Sequence, residues 1–210
     1  MAGTISVNSD DRYRGYSLSD GRPTATAQLS YDHASGLYLN GAVTGVARRD
    51  GPDLLGYQAN IGFARRVSST ISLDAGLAHS LNRYRYLGTN YSASYDEAYI
   101  GANAHNISAR LSYSPHYFQN GVSTLYGELE AGTQPAPKWR LSGHVGVLTY
   151  LTAPIYFESR TRYDWRLGVS RELGAFEIHT ALSGGGPRER YPYELGWSGT
   201  ALTVGASLSF

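Results

Sequence analysis

Apolar and polar positions alternate along almost the whole chain, and helical spacing is nearly absent. At the C-terminus Leu202, Val204, Ala206, Leu208 and Phe210 alternate with Thr203, Gly205, Ser207 and Ser209. Trp139, Leu141, Val145 and Val147 do the same against Arg140, Ser142, His144 and Gly146, as do Tyr163 to Val169 against Asp164 to Ser170. Leu55 to Phe63, Ile71 to Leu81, Ala98 to Ala104, Ile107 to Tyr113 and Phe176 to Leu182 read alike. About twelve such segments of roughly ten residues are present, the length a tilted strand needs to cross a bilayer.

A hairpin must keep its apolar face on one side of the sheet, so turn length and pattern must agree in parity. A two-residue turn at His105-Asn106 sets Ala104 opposite Ile107 and Gly101 opposite Arg110. One at Leu173-Gly174 sets Ser170 opposite Glu177. Three-residue turns at His33–Ser35 and Val67–Ser69 also keep parity, and Pro135-Ala136-Pro137 makes a further turn. These tight turns interleave with longer links near 18–22, 48–53, 83–94, 115–121, 150–161 and 185–199. Short turns at one end and long loops at the other are the plan of an all-β, antiparallel, up-and-down transmembrane barrel of about twelve strands, a single domain over 1–210. A soluble up-and-down barrel turns its apolar face inward and lacks this asymmetry of loops.

Composition narrows the classes. The 210 residues are 41% hydrophobic and 17% charged, with 25 Gly, 18 Tyr and no Cys. A net charge of +1 argues against a nucleic-acid partner. Without Cys there is no disulfide framework, zinc knuckle or cysteine nucleophile. No apolar run approaches the ~18 residues of a spanning helix, and Met1-Ala2-Gly3 opens with no apolar stretch, so we expect no signal peptide in this chain.

Thr203 to Phe210 resembles the terminal assembly signal of bacterial outer-membrane proteins, with Thr203, Gly205, Leu208 and the final aromatic Phe210 in place. Val7 to Gly21 resembles the opening strand and loop of the TorF-like family of outer-membrane porins. Tyr31–Tyr38, Leu111–Phe118 and Asp164–Val169 resemble its later blocks, so the likeness runs in order through essentially the whole chain. Asp11 departs from it, standing where that family has an aromatic, and strand parity would turn it to lipid unless a rim or bulge intervenes. The resemblance implies location in the bacterial outer membrane and pore activity without a defined solute. It also implies outer-membrane lipids including lipopolysaccharide, and the assembly machinery reading Phe210, as partners.

With the apolar parity toward lipid, the other parity lines the lumen. Its pore-lining candidates are Arg12, Arg14, Asp74, Glu97, Arg110, Tyr126, Glu128, Glu130, Arg140, His144, Asp164, Arg166, Glu177 and His179, with Asp10 and Asp32 among the further acids. Glu130 is expected to face Arg140 across the Pro-rich turn, and Arg110 to reach Glu128. Such walls sort small solutes by charge and size. Opposite charges that interlock would instead fill a narrow interior, and twelve strands lie between the filled eight-stranded and the open 16-stranded barrel. Two functions therefore stand: a passive channel for small hydrophilic solutes or ions, or a closed barrel that acts structurally or binds lipid or ligand through its long loops.

Arg48, Arg49, Arg83, Arg85, Arg160, Arg162, Arg188 and Arg190 form an expected basic rim near the long loops. Guanidinium grips phosphate or carboxylate as a fork, but internal pairing with Asp20, Asp50, Asp53, Glu158, Glu189 and Glu194 competes. Tyr84, Tyr86, Tyr91, Tyr95, Tyr117, Tyr150, Tyr156, Tyr163 and Trp165 are expected to form an aromatic girdle at that end, with Trp139 at the other.

Enzyme readings find little support. His33 and Ser35 share a short turn, while His79 and Ser80 point to opposite faces of one strand. Asp20, Asp96, Glu97 and His116 near the mouth are candidates for a protease only as solvated acids and a lone histidine. His144 and His179 with Glu177 lack metal-ligand spacing, and Gly184-Gly-Gly-Pro187 precedes no helix, so it is no phosphate loop. We expect no catalytic residue, metal or cofactor. Oligomeric state is not legible.

Overall fold

The computed structural model describes residues 1–86, 89–152, 159–187 and 199–210, with backbone only at 85, 86 and 90. Its strands are β1 (Ala2–Asn8), β2 (Arg12–Tyr13), β3 (Tyr16–Ser17), β4 (Thr24–Asp32), β5 (Leu37–Arg48), β6 (Gly51–Arg66) and β7 (Ile71–Tyr86). β8 (Thr89–Ala104), β9 (Ile107–Ser114), β10 (Thr124–Ala136), β11 (Trp139–Tyr150), β12 (Thr161–Leu173), β13 (Phe176–Gly186) and β14 (Ala201–Ser209) follow. Twelve of them, all but β2 and β3, close into an antiparallel barrel in which each strand pairs with its sequence neighbours and β1 pairs with β14. Gly3 N donates to Phe210 O at 2.8 Å and Phe210 N returns the bond at 2.9 Å. A closed ring leaves no open sheet edge, the condition for strands to lie in hydrocarbon.

Alternation sets the two faces. Leu77, Ile100, Leu167 and Leu202 point outward and are 60% to 65% exposed, while inward Asp74, Glu97 and Asp164 are buried. The apolar half of every strand thus faces out and the polar half faces in, the reverse of a soluble barrel.

The expected turns keep their parity, and their registers refine the reading. Ala104 pairs with Ile107 across His105-Asn106 as expected. The turn after β12 is Gly174-Ala175, one residue later than expected, because Gly174 takes a left-handed φ of 70°; Ser170 therefore faces His179 and Glu177 faces Glu172. The loops after β4 and β6 also close two positions later than expected, at Asp32–Tyr38 and Arg66–Ser72. The Pro-rich turn is Pro137-Lys138, with a bulge between Thr133 and Ala136. Two of the expected long links are not loops at the backbone: Arg48 pairs with Gly51 across a tight turn, and β7 and β8 extend to Tyr86 and from Thr89.

The first long link does something the alternation does not show. After Asn8 the chain leaves the wall, and β2 and β3 form a small separate hairpin. Tyr13 pairs with Tyr16 across Arg14-Gly15, whose φ values of 46° and 82° are both left-handed, the signature of a tight hairpin turn. This hairpin folds into the barrel. Asp11 therefore lies inside the mouth and not on the lipid face, and the expected placement of Arg12 and Arg14 on a wall strand is corrected: both sit on the hairpin.

Candidate functional site

Asp10 organises the base of the hairpin. Its carboxylate accepts from Ser17 Oγ, from Ser19 Oγ at 2.7 Å and from Gly21 N at 3.2 Å, and Arg12 lies 3.4 Å away. Arg12 also donates to the carbonyls of Gly15 (2.9 Å) and Gly199 (2.6 Å). Asp11 lies against this base, where burial pushes its carboxyl up to about 6, with the charge of Asp10 adding to the shift.

At the tip, Arg14 NH2 donates to both oxygens of Glu97 on β8 at 2.9 Å. Its guanidinium stands 3.9 Å from the ring centre of Tyr126 on β10. Both members of the ion pair are buried, so losing one partner costs about 3–5 kcal/mol through the charge left unpaired. Tyr95 donates its hydroxyl to that of Tyr13 at 2.8 Å. Gly15 meets the backbone of Gly185, where even a methyl group would sit 2.9 Å from Gly185 Cα and 3.0 Å from Asp164 Cβ. The Gly184–Gly186 run is thus the end of β13, bare of side chains where the hairpin lands, and not the start of a loop.

Against the hairpin packs an apolar cluster of Tyr95, Tyr117, Val122, Tyr126, Leu148 and Tyr150, with Tyr13 and Phe118 joined to it. The link between β9 and β10 folds inward to supply Tyr117 and Phe118. Tyr95, Tyr117 and Tyr150 are therefore interior residues, a correction to the expected girdle: each lies on the inward parity or an inturned loop. Tyr163 remains outward, and Trp139 is exposed at the short-turn end under the Arg171 guanidinium, 5.1 Å from its ring.

Below the hairpin lies a cavity of about 420 Å³. Of the expected lining residues, Arg12, Arg14, Glu97, Arg110, Tyr126, Glu128, Glu130, His144, Asp164, Arg166 and His179 border it. Asp74, Arg140 and Glu177 share their inward parity further along the wall. His144 is set among carboxylates. Its Nε2 is 2.8 Å from Asp164, and its Nδ1 is 3.4 Å from Glu130 and 4.0 Å from Glu128. Tyr126 adds its hydroxyl to Asp164 at 3.1 Å. Across the lumen Asp74 takes Arg110 at 3.6 Å, Asn103 at 3.2 Å and the Tyr38 hydroxyl at 3.0 Å. His179 bonds Asn8 at 2.8 Å.

Two expected pairs are corrected here. Glu130 faces His144, not Arg140, because the turn closes at Pro137-Lys138, later than expected, with a one-residue bulge before it; its cationic neighbour is Arg166 at 3.8 Å. Arg110 does stand opposite Glu128, but its guanidinium turns to Asp74 and over the Tyr99 ring at 4.5 Å.

The rim is only partly a free basic surface. Arg48 and Arg83 both meet Asp53 at 3.3 Å, and Arg22 lies 4.0 Å from Asp20. Arg162 turns inward onto the Tyr16 ring at 4.2 Å. Arg49 and Arg160 are exposed. Arg188, Arg190, Glu158, Glu189, Glu194, Tyr156 and the side chains of Arg85 and Tyr86 lie outside the described residues. His79 points outward and holds Asp96 at 2.7 Å, so Asp96 stands on the outer face and not in the mouth. His33 meets Ser35 at 2.8 Å on the short-turn end.

A family model described as "Bacterial protein of unknown function (Gcw_chp)" matches residues 1–183. The chain belongs to this Gcw_chp family. No curated protein matches it. Among solved structures it is similar to the KdgM porin, at 13% identity and a TM-score of 0.60 over 100% of this chain and 99% of the other. The KdgM porin in complex with disordered oligogalacturonate matches at 12% identity, TM-score 0.61, over 100% and 99%. The NanC porin matches at 5% identity and TM-score 0.66, over 99% and 98%. The Gcw_chp chain thus has the barrel fold of these porins.

Proposed function

We propose that this Gcw_chp protein is a narrow channel of the bacterial outer membrane for passive diffusion of small hydrophilic solutes or ions. The observation that carries this reading is the polar cavity of about 420 Å³ inside a barrel whose outside is apolar. Porin neighbours over the full length and the TorF-like sequence blocks support it. Both signs of charge line the cavity, with Arg110 and Arg166 about half exposed there beside Glu130, so the lining tunes selectivity without forming a field of one sign. In this reading lipopolysaccharide surrounds the rim at Arg49 and Arg160, the assembly machinery reads Phe210, and no chemistry is performed.

A second reading is favoured by one observation, the inturned hairpin with the aromatic cluster packed against it: a barrel closed at the mouth whose loops are the working part. Conductance of refolded protein in planar bilayers, with reversal potentials in a salt gradient, separates the two. Steady ohmic steps are expected. Folded, inserted protein that never gives a step would sink the channel reading and leave the loop reading.

A further inference from the structure

Among the described residues, the contacts that fix the hairpin gather on one side of the wall. Its fixing contacts run to β8 through Glu97 and Tyr95, to β10 through Tyr126, to β12 through Arg162, to β13 through Gly185 and to Gly199 just before β14. On that side backbone meets backbone at Gly15 and Gly185, without space for a methyl group. On the opposite side, between the hairpin and the wall from β4 to β8, a second cavity of about 210 Å³ opens. Its wall is more apolar than polar: Ala42, Leu55 and the Tyr57 ring line it together with Thr26, Thr44, Gln58, Ser80 and Asn82. Gln58 also borders the larger cavity below, as do Asp11, Arg12 and Tyr13 on the hairpin. The two cavities therefore share one stretch of β6 and the flank of the hairpin.

We propose that solutes pass the level of the hairpin through this slot along β4 to β7, and that its wall selects small uncharged hydrogen-bonding solutes over anions of the same size. The proposal rests on the channel reading and names its route. A few hydroxyls and amides in a largely apolar wall offer donors and acceptors to a neutral solute but no counter-charge, so an ion entering the slot loses hydration without compensation. The Thr26 and Thr44 hydroxyls are joined at 2.9 Å, which fixes two of the polar groups on this wall. On the hairpin flank Asp11 and Arg12 are of opposite sign, and Arg12 is committed to Asp10 and two carbonyls. The volume falls below the ~300 Å³ at which ordinary ligand pockets begin, so solutes pass singly.

The chain has no cysteine, so Ala42→Cys carries a single thiol. It is alkylated with a bulky maleimide while unfolded, refolded, and compared with unmodified protein by liposome swelling in arabinose and in sodium arabinonate. Unmodified protein is expected to pass arabinose several-fold faster than arabinonate, and the alkylated variant to lose most of the arabinose rate. Alkylated Val43→Cys, the next residue but on the outer face, is expected to lose little. Thr44→Trp supplies the same block without labelling should the alkylated barrel not refold. Unchanged arabinose flux in folded protein carrying either block overturns the route, and equal rates for the two solutes overturn the selectivity. No flux of either solute through folded wild type overturns the channel reading itself.

Discussion

Asp11 is where a single side chain couples the hairpin to solvent conditions. Its folded carboxyl titrates near 6, above the ordinary 3.8, because burial and Asp10 disfavour the ionised form. Docking is therefore fully favoured below the ordinary value, where the group is neutral docked or free. It weakens as pH rises from about 4 to 6 and stays level above. Conductance is expected to rise across that window in the wild type, as the hairpin loosens, and to stay flat there in Asp11→Asn. Superimposable pH profiles for the two proteins would show that Asp11 has no such part. Arg14 differs: its guanidinium stays charged throughout this range.

At the scale of the strand, alternation divides consequences as cleanly as it divides faces. Leu167 lies midway along β12, outward and 61% exposed; its neighbour Arg166 faces the lumen. Leu167→Arg is expected to lower the unfolding free energy in lipid vesicles by about 2–4 kcal/mol, the cost of a cation at the hydrocarbon midplane. Arg166→Leu should leave that energy nearly unchanged and alter ion selectivity. Equal destabilisation by both would contradict the assignment of faces. The strands themselves were legible because period-2 patterning and turn parity are local. Registers at three hairpins were not, since a shift of two residues preserves parity; in two of the turns that form, Gly36 and Gly174 take left-handed φ values of 99° and 70°.

For the whole molecule the governing fact is that a twelve-stranded ring is wide enough to admit part of its own chain. Replacing Asp10–Gly21 with a short turn is expected to raise single-channel conductance several-fold. The heat-modifiable migration of the folded barrel should persist, because wall pairing between β1 and β4 needs none of those residues. Conductance unaltered in the folded deletion variant would mean that the hairpin does not narrow the path.

The sequence by itself determined the barrel: alternation fixes which half of each strand meets lipid, strand length fits a bilayer, and loop lengths set the two ends. It also named most of the cavity lining, since parity decides direction wherever a strand stays in the wall. Only the tertiary structure decided what fills the mouth. Arg12 and Arg14 keep the same spacing on a wall strand or on a free hairpin, and nothing local marks Glu97, Tyr126 and Gly185 as the places where that hairpin lands. Those partners lie 83, 112 and 170 residues away from Arg14 and Gly15 in the chain, and closure of the ring alone brings them within reach. For the same reason Tyr95, Tyr117 and Tyr150 read as girdle residues in one dimension and form an interior cluster in three.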